Sequence, residues 1–169
     1  MIPVAYLGSN NHPKPIKVYA QQKDGWCGVA ALQYALAEQG VEVTQENLVK
    51  ETGTTQSEGV DPKPLAATAR KHGMQVHIIE GQSLKKTLEL LKFYKDNDYS
   101  IIIDYLAGKS IDDGHYVVVL KILSDKLEVY DPSNQGSTKM INQDYLIDHW
   151  IDKNKNGEII KRFALVIYG

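Results

Sequence analysis

The only cysteine of the 169-residue chain, Cys27, lies in the stretch QQKDGWCGVAALQYAL, residues 21–36. Residues 24–26 are typical of a turn, whereas residues 28–36 are rich in alanine and leucine and lack proline, so a helix is predicted to begin at or near Cys27. Unpaired backbone N–H groups and the macrodipole at a helix N-terminus favour an anion. Because the thiolate is the nucleophilic form of cysteine, this position favours nucleophilic chemistry.

A helix end alone does not make a thiol reactive. It contributes about 0.3–1 kcal/mol to a nearby charge, whereas one pKa unit corresponds to about 1.36 kcal/mol. Since a free thiol has a pKa of about 8.5, most of such a group would stay protonated at neutral pH. A cysteine nucleophile therefore predicts a histidine partner elsewhere in the chain, and a third group that orients the imidazole.

His115 is the predicted partner among the five histidines. It follows the polar loop of residues 112–114 and opens the apolar strand YVVVL, so its side chain would project from a rigid element into a loop-lined space. A structural or solvent-exposed role is the simpler interpretation for the other four, which are His12, His72, His77 and His149.

The third group is predicted from a hairpin. The strand that begins at His115 turns near residues 124–125 and returns along KLEVYD, which ends at Asp131. Because antiparallel neighbours pair first residue with last, His115 and Asp131 are expected to meet. Asp104 and Asp112 are alternatives for this role.

The composition is that of a globular protein, with 43% hydrophobic and 24% charged residues. A formal net charge of -2 gives no global attraction to nucleic acid or to an anionic membrane. One cysteine excludes an intramolecular disulfide and a zinc site built on several thiolates, and no metal or other cofactor is predicted. Neither a signal peptide nor a membrane-spanning run is recognised, so a cytoplasmic location is expected.

The elements that would position these groups place helices mainly in the first half of the chain and strands mainly in the second. An irregular arm is predicted over residues 1–15. Helices are predicted from Cys27 to about Gly40, from Thr44 to about Glu51, from Pro62 to Gly73 with Asp61 as N-cap, from Ser83 to about Tyr94, and over residues 143–151. Strands are predicted over residues 74–80, 99–106, 115–123, 126–131 and 162–168. This order predicts a single α+β domain over residues 1–169 with an antiparallel sheet.

Four features together resemble a C39-type cysteine peptidase, the papain-like domain that trims double-glycine leader peptides. They are Gln21, Cys27 with Gly28, Gly114 with His115, and Asp131 with Pro132. In that family a glutamine lies six residues before the cysteine, as 27 minus 21 gives here, and the aspartate follows the histidine by sixteen residues, as 131 minus 115 gives here. The resemblance implies a papain-like fold, with helices carrying the nucleophile packed on the antiparallel sheet.

The resemblance also implies a role for each residue. Cys27 would attack a peptide carbonyl, His115 would protonate the leaving amine, and Asp131 would orient the His115 ring. Gln21 would stabilise the oxyanion, with Gln22 as a less favoured alternative for that role. The expected partners are a peptide or protein substrate and, as a candidate, a separate ABC exporter.

Other functions are compatible with the same residues. An amidase, transglutaminase or acyltransferase could use the same triad, and a catalytically silent peptide-binding domain is a third possibility. The stretch LAGKS, residues 106–110, lacks the first glycine of a phosphate-binding loop, because position 103 is Ile. Residues 152–159 match the start of an EF-hand loop, but Phe163 stands where its glutamate should be, so a plain Asn-Gly turn is preferred to calcium binding.

Overall fold

The computed structural model describes residues 5–6, 15–16, 19–133 and 135–169. The helices are α1 (Cys27–Glu38), α2 (Gln45–Thr52), α3 (Pro62–Lys71), α4 (Leu84–Asp96) and α5 (Gln143–His149). The strands are β1 (Ala5–Tyr6), β2 (Pro15–Ile16), β3 (Gln75–Ile79), β4 (Ser100–Leu106), β5 (Gly114–Ile122), β6 (Lys126–Asp131), β7 (Ser137–Asn142), β8 (Ile151–Lys153), β9 (Ile159–Lys161) and β10 (Ala164–Tyr168).

Local capping chemistry explains where α2 and α4 begin. At the start of α2, Thr44 Oγ1 accepts a hydrogen bond from the Asn47 N–H at 3.2 Å, and Ser83 Oγ does the same for Lys86 at 3.1 Å at the start of α4. Asp61 occupies the N-cap position of α3, as predicted, but its carboxylate makes no capping bond. It accepts instead from the Lys155 N–H at 3.2 Å, which ties α3 to the hairpin of β8 and β9.

The main sheet of the described residues has six antiparallel strands in the order β3-β10-β4-β5-β6-β7. The last strand of the chain, β10, is therefore inserted between β3 and β4. Helices cover both faces, with α1 and α3 on one face and α4 and α5 on the other. Every residue of β4 is buried, because this strand is covered on both faces.

The structure differs from the prediction at strand β7 and at the hairpin of β8 and β9. Strand β7 was not predicted, because Ile141 is its only buried residue and its other side chains are exposed at the edge of the sheet. The predicted helix over residues 143–151 ends at His149, and Ile151 begins the hairpin of β8 and β9. The sequence is too polar over residues 152–158 to predict that hairpin from alternation.

The irregular arm predicted over residues 1–15 falls mostly outside the described residues, and so does His12. Within it, Ala5–Tyr6 and Pro15–Ile16 pair as two antiparallel strands, so this part of the arm is not irregular. Among the described residues, no helix combines the length and the apolar character that crossing a bilayer requires.

Candidate active site

Helix α1 begins at Cys27, as the composition of this stretch predicted. Trp26 occupies the N-cap position and is buried, with Lys23 Nζ 5.2 Å from the centre of its ring. Gly28 allows the helix to approach the sheet, because a Cβ there would meet the Tyr116 ring at 3.0 Å and the Val60 side chain at 2.5 Å. The helix end that carries the sulfur is thus pressed against β5.

His115 Nε2 and Asp131 Oδ1 lie 2.6 Å apart. Their meeting is diagonal, because Val118 pairs with Tyr130 and this register places Asp131 beside position 117, two residues along β5 from His115. The first-with-last pairing expected from the sequence is therefore offset by two residues, which keeps both side chains on the same face. The bond through Nε2 leaves Nδ1 of His115 as the ring nitrogen available to a thiol.

The electrostatics of this pair follow from its burial and its partners. Burial would lower the pKa of His115, but hydrogen bonding to Asp131 and to Cys27, together with their charges, raises it to about 9. Burial would raise the pKa of Asp131, but His115, Lys139 and Ser133 hold it well below its usual range. At neutral pH the pair is therefore an imidazolium and a carboxylate.

Asp131 has further partners that sequence reasoning missed. Lys139 Nζ lies 2.7 Å from Oδ2, and the Ser133 N–H and hydroxyl donate to Oδ1 at 2.9 and 2.6 Å. Lys139 lies on β7, which pairs antiparallel with β6 and begins with Ser137 opposite Asp131. The sequence signal for Lys139 was a lysine in the segment after β6. Using it required predicting that this segment forms the next strand, β7.

Gln21 is held beside these groups by its backbone. Its N–H donates to the Pro132 carbonyl at 2.8 Å, and its side-chain Nε2 donates to the Lys23 carbonyl at 3.2 Å. Gln21, Cys27, His115 and Asp131 line one cavity of about 630 Å³. Gln22 is exposed outside this lining, and its N–H donates to Gln45 Oε1 at 3.0 Å.

Asp112 lines the same cavity, but the structure pairs His115 with Asp131 and with neither alternative. Asp104 pairs with Tyr116 across β4 and β5, so its side chain lies on the face opposite to that of His115. Asp112 is exposed, and its carboxylate pairs with Lys153 Nζ at 3.2 Å.

The remaining described histidines have structural partners. His72 Nε2 lies 2.8 Å from Glu51 Oε1, His77 packs between the rings of Tyr94 and Tyr168, and the Nδ1 atom of His149 lies 2.7 Å from the Tyr145 carbonyl oxygen.

The EF-hand-like stretch forms the turn between β8 and β9. Asn154 Oδ1 accepts hydrogen bonds from the N–H groups of Asn156 and Glu158, at 3.0 and 2.9 Å. Phe163, at the twelfth position, is buried in the core. The side-chain oxygen of Asn154 is thus used by the turn itself, which accounts for this motif without a bound ion.

A family model described as the peptidase C39 family matches residues 15–153 of the chain. This match spans well over half of the sequence, and the chain belongs to the peptidase C39 family. The family resemblance drawn from Gln21, Cys27, His115 and Asp131 is therefore confirmed.

Solved structures show the same architecture. The peptidase domain of Streptococcus ComA, a bi-functional ABC transporter, is 21% identical with a TM-score of 0.66, over 88% of this chain and 96% of that one. A double glycine motif protease from an AMS/PCAT transporter, in complex with its leader peptide, is 18% identical with a TM-score of 0.63, over 94% of both chains. A C39-like peptidase described as putative from Bacillus anthracis is 15% identical with a TM-score of 0.69, over 99% and 98%.

At these identities the likeness establishes the fold, and it confirms the predicted papain-like α+β architecture with an antiparallel sheet. No curated protein sequence matches the chain.

Proposed function

We propose that this chain is a cysteine endopeptidase whose nucleophile is Cys27. The observation that carries the proposal is the 2.6 Å contact between His115 Nε2 and Asp131 Oδ1 in a cavity that Cys27 also lines. Because the pKa of His115 is raised to about 9, its imidazolium is present at neutral pH, and an imidazolium is the partner that a cysteine nucleophile requires.

The reaction follows from the positions of these groups. The Cys27 thiolate adds to the peptide carbonyl carbon, and the carbonyl oxygen becomes an oxyanion. The His115 imidazolium gives its Nδ1 proton to the leaving amine as the C–N bond breaks, which leaves an acyl-enzyme thioester. Neutral His115 then takes a proton from water, whose oxygen attacks the thioester, and the carboxylate product leaves as the thiolate re-forms.

The oxyanion would be held by the Cys27 backbone N–H and the Gln21 side chain. An amide nitrogen carries two hydrogens, so the bond from Gln21 Nε2 to the Lys23 carbonyl leaves one hydrogen for this role. Removing one such donor typically costs about 10²–10³ in rate.

The substrate we propose is a leader or precursor peptide cleaved after a pair of glycines. Membership of the C39 family supports this substrate class, and one structural neighbour is described as a double glycine motif protease bound to a leader peptide. One neighbour is the peptidase domain of an ABC transporter, and another is a protease from an AMS/PCAT transporter. A separate ABC exporter is therefore the partner proposed to take the mature peptide.

The test compares wild-type protein with Cys27→Ala on fluorogenic peptides that contain a glycine pair. We expect cleavage by the wild type after the second glycine, none by the variant, and a thioester adduct on Cys27 in intact-protein mass spectrometry. Wild-type protein that neither cleaves these peptides nor forms an adduct would contradict the proposal. Added amine acceptors separate hydrolysis from acyl transfer, because a transferase would give the amide product instead of the acid.

A further inference from the structure

A second cavity, of about 550 Å³, adjoins the first at Cys27 and Gly114. Its walls come from the loop of residues 56–61, the start of β5 and the hairpin of β8 and β9. Cys27 lines both this cavity and the one that contains His115 and Asp131. A peptide whose scissile bond lies at the Cys27 sulfur would therefore extend into both cavities.

A buried carboxyl group without a hydrogen-bond donor lies behind the wall of this second cavity. Asp104 is 1% exposed, and neither of its side-chain oxygens has a hydrogen-bond donor among the described residues. Burial, followed by the neighbouring carboxyl of Asp152 and the charges of Cys27 and Asp61, raises the pKa of Asp104 well above its usual range. The groups that act on Asp104 through their charge, Asp152, Cys27 and Asp61, all line the cavity.

Asp152 is held in place by the backbone around it. A Cβ at position 114 would collide with its carboxylate, so Gly114 provides the space that this carboxylate occupies. Asp152 Oδ1 accepts from the Lys153 N–H at 2.7 Å. Asp61 accepts from the Lys155 N–H at 3.2 Å.

The cations near this cavity do not neutralise these carboxyl groups. Lys153 Nζ is engaged by Asp112 at 3.2 Å. Within residues 19–133 and 135–169, no Lys or Arg side chain forms an ion pair with Asp61, Asp104 or Asp152, although Lys155 also lines the cavity. Asp104 is buried, and a buried carboxylate is costly unless it is paired or protonated. No cation is paired with it or with the neighbouring Asp61 and Asp152 among the described residues.

We infer that this cavity is a substrate subsite for a cationic side chain, the guanidinium of arginine or the ammonium of lysine. The cation would bind between Asp152 and Asp61, with Asp104 behind them. An organic cation is favoured over a metal ion, because the described residues contain no group of three carboxylate, histidine or cysteine side chains placed to hold one. The inference rests on the proposed peptidase function, because it names a feature of that enzyme's substrate.

The test uses the full chain and pairs of glycine-pair peptides that differ at one position. Each pair carries arginine or citrulline, which has nearly the same shape without the charge, at successive positions on both sides of the scissile bond. We expect the arginine peptide to have a kcat/KM about tenfold higher at one of these positions, the size of a charge-assisted hydrogen bond. Asp152→Asn and Asp104→Asn should each reduce that preference.

The matched control is Asp148→Asn, which changes the net charge equally on the exposed surface of α5 and should keep the arginine preference. If Asp104→Asn does not fold, the subsite is still tested by Asp152→Asn and by the comparison of arginine and citrulline peptides on the wild-type protein. Equal kcat/KM for arginine and citrulline at every position would overturn the subsite and leave the peptidase intact. If no peptide is cleaved, binding to Cys27→Ser decides, since tighter binding of an arginine peptide supports the subsite and equal binding overturns it.

Discussion

At the scale of single residues, the carboxylate of Asp131 is the most informative group, because it contacts His115, Ser133 and Lys139 at once. Its Oδ1 faces His115 and Ser133, whereas its Oδ2 faces Lys139. The carboxylate is only 4% exposed, so its charge acts on these partners with little screening by water. Asp131 therefore controls both the orientation and the protonation of His115.

Asp131→Asn should reduce kcat/KM by about 10²-fold or more, the usual contribution of a positioned acid or base. The pKa of His115 is raised to about 9, so its imidazolium is present below that pH and activity that needs it falls as pH rises through about 9. Without the carboxylate charge, this alkaline limb should move to lower pH. Steady-state kinetics against pH measures both effects.

Lys139→Met provides the opposite control. His115 is then the one cation paired with Asp131 among the described residues, so the alkaline limb should move to higher pH. An unchanged limb in both variants would contradict an ionic role for Asp131. Ser133 still orients the carboxylate in this variant, because its two bonds to Oδ1 are independent of Lys139.

At the scale of elements, the close contact of α1 with β5 places the sulfur next to the histidine. The contact occurs at Gly28, where a Cβ would meet Val60 Cγ1 at 2.5 Å and the Tyr116 ring at 3.0 Å. Tyr116 is itself held by a bond from its hydroxyl to the Val60 carbonyl at 2.9 Å, so this part of the sheet has little freedom to move away.

Gly28→Ala should lower the free energy of unfolding by about 1–3 kcal/mol, the usual cost of overpacking a core. It should also lower kcat, because α1 moves away from β5. Chemical denaturation and peptidase kinetics measure the two effects.

Val60→Ala, which removes the nearest contacting atom, should recover part of both losses in the double variant. Additive losses in the double variant would show that the Gly28 contact is not the cause.

At the scale of the whole molecule, the last strand of the chain, β10, lies inside the main sheet, between β3 and β4. Leu165 is fully buried on the face covered by α1 and α3. Because β10 pairs on both sides, its side chains contribute to the core on each face of the sheet.

Leu165→Ala should therefore cost about 2–5 kcal/mol of unfolding free energy, as large-to-small core changes do. Leu123→Ala is the matched control, since Leu123 is 37% exposed and its truncation should have a much smaller effect. Equal losses in urea denaturation would contradict the central position of β10.

Local chemistry made much of this fold and its candidate site predictable. The helix that begins at Cys27, the caps at Thr44 and Ser83, and the hairpin that brings Asp131 back to His115 depend on residues close together in the sequence. The family resemblance then predicted Gln21 in the same site. The single-domain interpretation of residues 1–169 stays a prediction.

The sequence by itself thus determined which residues could carry the chemistry and which elements would present them, because capping, periodicity and turns are short-range effects. Only the tertiary structure decided that β7 brings Lys139 to Asp131, and that β4 and β8 bring Asp104 beside Asp152. The physical reason is that edge strands with exposed side chains carry little hydrophobic pattern. Contacts between distant strands are set by the packing of the whole sheet.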